Sequence, residues 1–544
     1  MTTMPFDQIA ADYIAATNAY QPVGATTRGF HDHDAELGDR SQTAIEDRAR
    51  ALRTFAERLR GIDPATLSGE QPYDADLLAR RIGWELTDIE ELRSWQRSPG
   101  NALGSIGSAC NGLVIRDFAP LDERLRALAG RLSNVPALLE QSKANMVDPT
   151  RYHVETAIEA GTGMRALFER DLPAAAEASS DAALKTQVAA ANQAALTAVD
   201  AYVAWMKADI LPRAGEDFAW GEDRIRKLLS QADSIDEPIA ALIRRGDEDL
   251  RAHQDLLREI AAKIDAHSEP EDVVDAVARD HPSPAELLPH VQGLLEDLRG
   301  FSISAGLCTM PTDVRIAMAE TPGFSRMTTQ AACSTPGPFE TKATNAFYYV
   351  TPPDAAWSAE RTESYLRFFN RWSLPGVTAH EAYPGHYVHL TYLHRAKSEI
   401  GRYLLTTTTV EGWAHYIEQV MTEAGYGDSD PRFELMQLRE ALLRLCRYRC
   451  AFGMHVEGWS VDDSIEFFVR EGFTTRVIAE RETRRGILGP GYYAYTMGKH
   501  QILSLRSKLR ERQGERFDQR AFHDAFMQLP YPIASIERIM LAAA

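Results

Sequence analysis

The sequence predicts a mostly α fold carrying one small β-sheet. Three observations lead there: apolar residues recur at spacings of three and four along most of the chain, helix-start residues stand ahead of several of these stripes, and one segment breaks the pattern. Taken in order, the stripes run through 44–61, 120–145, 183–209 and 236–264. Asp122 and Asp181 lie where N-caps are expected, since a short carboxylate there accepts the free N–H groups of a first turn. From Pro311 to Pro353 the chain is instead rich in Pro, Gly and Thr, with β-type runs VRIAMAE (314–320) and AFYYV (346–350), which predicts a small sheet. Beyond it, Leu435, Leu438, Leu442 and Leu445 form another stripe. Ser460 stands before VDDSIEFFV with acidic residues in the first turn, and a last long stripe covers 496–510.

Bulk properties narrow the function classes. With 544 residues, 44% apolar and 25% charged, the composition is that of a globular protein, and no apolar run reaches the length of a membrane span. The net charge of −19 disfavours nucleic acid and anionic membranes as partners. Met1 to Tyr20 lacks a basic stretch followed by an apolar one, and five sparse cysteines (Cys110, Cys308, Cys333, Cys446, Cys450) do not form a disulfide framework. A cytoplasmic protein is therefore expected. Cys446 and Cys450 share a helix face, as core residues do. Without repeats or low-complexity linkers, the chain is expected to form one unit, residues 1–300 making a helical wall and 301–544 holding the site.

The chemistry concentrates in HEAYPGH, residues 380–386. It begins like the zinc-binding His-Glu-x-x-His helix, but the second histidine comes two residues late. On a regular helix, residues six apart differ by about 120° in azimuth and cannot share an ion. Pro384 has no N–H for the helix ladder and Gly385 admits unusual backbone geometry, so a bulge between Tyr383 and His386 is expected to bring His386 back beside His380. A catalytic zinc takes three protein ligands and keeps one open position. TTTTVEGWAHYIE (406–418) offers the third, with Glu411, His415 and Glu418 on one helix face. Glu381, beside a ligand yet directed away from the metal, is placed to act as general base toward water.

These residues resemble the bacterial family known as domain of unknown function 885, whose recurring element is His-Glu-x-x-Pro-Gly-His. More distantly, the chain is similar to the helical gluzincin peptidases, among them dipeptidyl carboxypeptidase, oligopeptidases and angiotensin-converting enzyme. GFHDHD (29–34), YDADLL (73–78), EGWAHYIE (411–418), GMHVEGWS (453–460) and PGYYAYTMGK (490–499) stand where the family has related segments. The resemblance implies a large oligopeptidase-like fold with a deep cleft, zinc held by His380, His386 and Glu411, Glu381 as base, and Tyr495 and His455 facing the cleft. A tyrosine hydroxyl or a protonated imidazole is a suitable donor to the oxyanion of amide hydrolysis. The chain departs from the family at Tyr387, His389, Ala451 and Tyr492, which bears on substrate preference and leaves the ligand set intact.

Two further clusters stand out. His31-Asp32-His33-Asp34 reads as a solvated turn capping the next element. Arg439, Arg444, Arg447 and Arg449 read either as solvated or core-paired residues or as a clamp for a substrate carboxylate. No P-loop, G-x-S-x-G elbow or Rossmann fingerprint occurs. The expectation is a zinc metallopeptidase acting on short peptides, with an edge strand from 314–320 or 346–350 aligning the substrate. The rivals are a zinc amidase for a small non-peptide amide and a catalytically silent helical binding protein.

Overall fold

A computed structural model describes residues 5–321, 326 and 329–544. It is mostly α with a small three-stranded sheet. Each expected stripe is a helix: Gln42–Arg60, Leu121–Asn145, Ala182–Trp205, Ile239–Ile264, Pro431–His455 and Ala494–Gln513. The 183–209 stripe leaves α geometry at Trp205 and continues as a wider π-type turn over Met206–Ile210. Asp181 caps its helix by accepting the Leu184 N–H at 3.0 Å, and Ser460 forms a reciprocal capping box with Asp463. Asp122 does not cap. Pro120 holds that position, and Asp122 in the first turn accepts the Ser179 hydroxyl at 2.6 Å instead. Among the described residues no helix is long and apolar enough to cross a membrane.

The strands are β1 (Ala317–Glu320), β2 (Ala331–Ser334) and β3 (Phe347–Val350), in the order β1-β3-β2. β3 runs parallel to β1 and antiparallel to β2, with Tyr348 opposite both Met318 and Cys333. The 346–350 run is therefore the central strand, both of its edges already paired, and it cannot align a substrate. The edge nearer the motif is β2, whose four small residues carry no strand pattern in the sequence.

Three apolar cores organise the helices. One lies within residues 37–210 apart from Ala343; the other two draw on both sides of residue 300. A division at that point separates no core from another, because Phe6 to Ile82 pack with the motif helices while Ile225 to Ala278 pack with helix Pro431–His455. Helix Ala494–Gln513 spans the seam: Met497 belongs to one core and Ile502 and Leu505 to the other. It crosses helix Thr407–Glu423 at a contact without side chains. A Cβ on Gly412 would lie 2.5 Å from Gly498 Cα, and one on Gly498 would lie 2.1 Å from the Thr408 carbonyl oxygen. That crossing holds the helix that carries Glu411 against the helix that carries Tyr495.

Candidate metal centre

The late histidine is accommodated by a full break in the helix rather than a bulge. One helix, Leu374–Glu381, ends at the motif and a second, His386–Leu393, begins with its last residue. Between them Gly385 donates its N–H to the carbonyl of Ala379, six residues back, at 3.0 Å. The approach is so close that a Cβ on Gly385 would sit 2.0 Å from the His380 carbonyl oxygen and 2.3 Å from that of Ala379. Trp413, fully buried and stacked on Phe526 at 5.5 Å, ties the loop down by donating its indole N–H to Pro384 O at 3.0 Å. A buried tryptophan in such a position is worth about 3–5 kcal/mol against alanine.

The break turns both histidines to one side. Their rings meet edge to face at 4.7 Å, and Glu411 Oε2 lies 3.4 Å from the Nε2 of each. One ligand atom from each of His380, His386 and Glu411 falls within 4.8 Å of the others. Glu411 Oε2 and His386 Nδ1 are buried without any hydrogen-bond partner, although buried polar atoms are nearly always partnered. Two imidazoles and a carboxylate converging on one point, one of them with an orphaned oxygen, fit a zinc ion. The Glu411 side chain remains 22% exposed, and Glu381 and Tyr495 are likewise only partly buried.

A second ring of groups orients the first. His380 Nδ1 is 2.7 Å from Glu418 Oε1, which directs Nε2 toward Glu411, and Arg444 holds Glu418 at 2.9 Å. Burial disfavours the charged imidazole, but the nearby Glu411 carboxylate and the hydrogen bond donated to Glu418, with the charges of Glu418 and Glu381, outweigh it and raise the His380 pKa to about 10. Burial also opposes the Glu411 carboxylate, yet the charge of His386 and the close approach of both imidazoles hold its pKa far below the usual range. A divalent cation binding such a cluster would displace the proton held on His380.

Around the ligands, Glu381 Oε2 accepts the backbone N–H of Cys333 on β2 at 2.7 Å, which fixes the carboxylate's direction. Tyr495 lies over His380, ring centroids 6.3 Å apart, and its hydroxyl accepts from Arg485 at 3.1 Å. His455 is elsewhere. It packs edge-on against Phe218 and Trp220 at 6.0 Å, and Nε2 donates to the Gly486 carbonyl at 2.8 Å. Burial pushes its pKa down to about 4, so it is a neutral structural imidazole whose one proton is already committed. Tyr492 is likewise core, packed against Gly486.

The arginine run is core-paired. Arg439 bonds Glu440 at 2.6 Å, Arg447 is bidentate to Glu482 at 2.7 and 3.0 Å, and Arg449 reaches Asp247 at 3.0 Å and Glu457 at 2.6 Å. Cys446 and Cys450 are fully buried. His31 is less a solvated turn than a tie: it contacts Asp34 and Glu340 at 2.9 Å each and stacks on Phe118 at 3.9 Å. Sequence reasoning missed the supporting role of Glu418, although its position two turns after Glu411 was a usable signal. It also missed β2 and Arg485, which carried none.

Two solved structures share this architecture over essentially the whole chain. A candidate lipoprotein of unknown function from Shewanella oneidensis aligns with a TM-score of 0.83 at 25% identity, covering 99% of this chain and 100% of that one. A candidate lipoprotein from Colwellia psychrerythraea aligns with a TM-score of 0.85 at 18% identity, covering 99% of both chains. No curated protein matches the chain. The family model for bacterial proteins of unknown function numbered 885 matches residues 22–537, and the chain belongs to that family.

Proposed function

We propose that the protein is a zinc-dependent hydrolase of short peptides, with Glu381 as general base. The observation that carries this reading is the convergence of His380, His386 and Glu411 on one point, backed by the Glu418 bond to His380. Zinc bound there would polarise the scissile carbonyl and acidify a water molecule. Glu381, its carboxylate aimed by the Cys333 N–H, takes the proton from the attacking water and returns it to the leaving amine. The Tyr495 hydroxyl accepts from Arg485, which leaves its own proton free to donate to the carbonyl oxygen as negative charge grows there.

Strand β2 suits a peptide lying along it. Gln330 O bonds Thr351 N on the β3 side, while Cys333 N–H faces Glu381, so Ala331 and Cys333 turn their main-chain groups away from β3. A substrate strand added to that edge would pass beside the general base.

The deciding experiment replaces Glu381 by Gln, which fills the same volume but cannot accept the proton. The expected result is full zinc content, an unchanged melting temperature and a loss of turnover by a factor of about 10² to 10⁴ on a mixed peptide library. Near-normal turnover in Glu381→Gln would sink the mechanism. Hydrolysis of small amides without processing of any peptide would favour an amidase.

A further inference from the structure

Three guanidinium groups surround the Tyr495 ring: Arg447 at 5.5 Å, Arg485 at 5.7 Å and Arg444 at 5.9 Å from its centroid. Two are neutralised within the fold, Arg444 by Glu418 at 2.9 Å and Arg447 by Glu482 at 2.7 Å. Arg485 is different. It is exposed, it donates to the Tyr495 hydroxyl, and among the described residues it forms no direct ion pair, its charge reaching Glu482 only at longer range. In a chain with a net charge of −19, an exposed guanidinium beside a candidate catalytic centre is open to a ligand of opposite charge.

Its position limits what that ligand is. Steps of 5.7 Å from Arg485 to the Tyr495 ring and 6.3 Å from there to the His380 ring put the guanidinium at most about 12 Å from His380. An extended peptide covers roughly 3.3–3.6 Å per residue, so the gap corresponds to between one and three residues. The same helix, Arg476–Leu488, also approaches the sheet: Arg481, one turn before Arg485, reaches the side chain of Gln330, the residue before β2, at 3.5 Å. A peptide between β2 and this helix therefore meets Arg485 close to the bond being cut.

We propose that Arg485 is a substrate anchor that selects peptides bearing a carboxylate within one to three residues of the scissile bond. This rests on the hydrolase reading above and deepens it to a substrate class. The carboxylate is either the free C-terminus or an acidic side chain, both of which suit the planar fork of an arginine.

The test measures binding without turnover, in protein carrying Glu381→Gln and loaded with zinc. The probes are N-terminally fluorescein-labelled tetra-alanine as the free acid, the same peptide as its C-terminal amide, and an amide ending in glutamate. The expected result is that the free acid binds about 10- to 100-fold more tightly than the tetra-alanine amide. Adding Arg485→Gln should erase that ratio by weakening the acid alone, and Arg485→Lys should restore part of it. Tight binding of the glutamate-ended amide, lost on Arg485→Gln, would support the anchor and extend it to side-chain carboxylates. A preference for the acid that survives Arg485→Gln, or no preference in the parent for either carboxylate-bearing probe over the tetra-alanine amide, overturns the proposal. Turnover of the free acid by protein with Glu381 intact is read separately: its absence would defeat the hydrolase reading while a discriminating Arg485 still stood.

Discussion

Replacing Gly385 by alanine adds one methyl group and should dismantle the metal centre. The new Cβ would stand 2.0 Å from His380 O, 2.3 Å from Ala379 O and 2.6 Å from His380 C, all backbone atoms that cannot swing aside. Relief to an ordinary contact needs a shift of about 1.4 Å or more between the two halves of the motif. His380 lies on one side of that shift and His386 on the other. Ligand atoms tolerate displacements of only about 0.2 Å, so the loss should exceed the roughly 10- to 100-fold cost of disturbing a ligand's supporting hydrogen bond. Overpacking should also lower stability by about 1–3 kcal/mol. The backbone at Gly385, φ −77° and ψ −130°, is not left-handed, so the effect comes from crowding alone. Zinc titration against a competing chelator and thermal unfolding with and without zinc measure both quantities. Wild-type zinc affinity in Gly385→Ala would refute the reasoning, because the close approach would then be dispensable.

Other expectations concern neighbouring groups. Glu411→Ala leaves two imidazoles and should reduce zinc in dialysed protein from about one ion per chain to a trace; full metal content would remove Glu411 from the ligand set. Glu418→Gln keeps an acceptor for His380 Nδ1 but not its charge, and should weaken zinc about 10- to 100-fold in a chelator competition, an unchanged affinity showing that the bond to Glu418 does not matter. His455 has its pKa lowered from 6.5 to about 4 by burial, so acid protonates the unfolded chain first and stability falls from pH 6.5 down to about pH 4, where the folded protein takes the proton too. His455→Gln, which still donates to Gly486, should flatten that part of the stability profile by on the order of 2–3 kcal/mol; identical profiles would locate the acid sensitivity elsewhere. If the protein is cytoplasmic, as its sequence leads one to expect, it is recovered in the soluble fraction after lysis, and recovery with membranes would overturn that expectation.

The helices were legible because amphipathic periodicity is a local property. Asp181 and Ser460 announced their caps for the same reason, while Asp122 misled because Pro120, two residues earlier, already starts the helix. In the motif the sequence signalled disruption at Pro384 and Gly385, yet bulge and full break share that signal, and contacts such as the Gly385 bond to Ala379 and the Trp413 bond to Pro384 are not written in it. Long-range pairs were the hidden part. Whether Arg444 faced solvent, substrate or Glu418 depended on how two helices distant in sequence pack, and His455 was assigned by likeness to a place that its neighbours Phe218 and Trp220 do not allow.

The contact between Gly412 and Gly498 behaves as a fixed ruler. Helices that meet through long side chains can drift apart or together as those side chains are exchanged, but here backbone touches backbone and nothing remains to trim. The interval from Glu411 to Tyr495 is consequently insulated from substitutions in either adjoining core. The exposed face of Arg476–Leu488 is under no such restraint. Diversification among relatives should then accumulate on that outer wall, while the interval from Glu411 to Tyr495 stays constant.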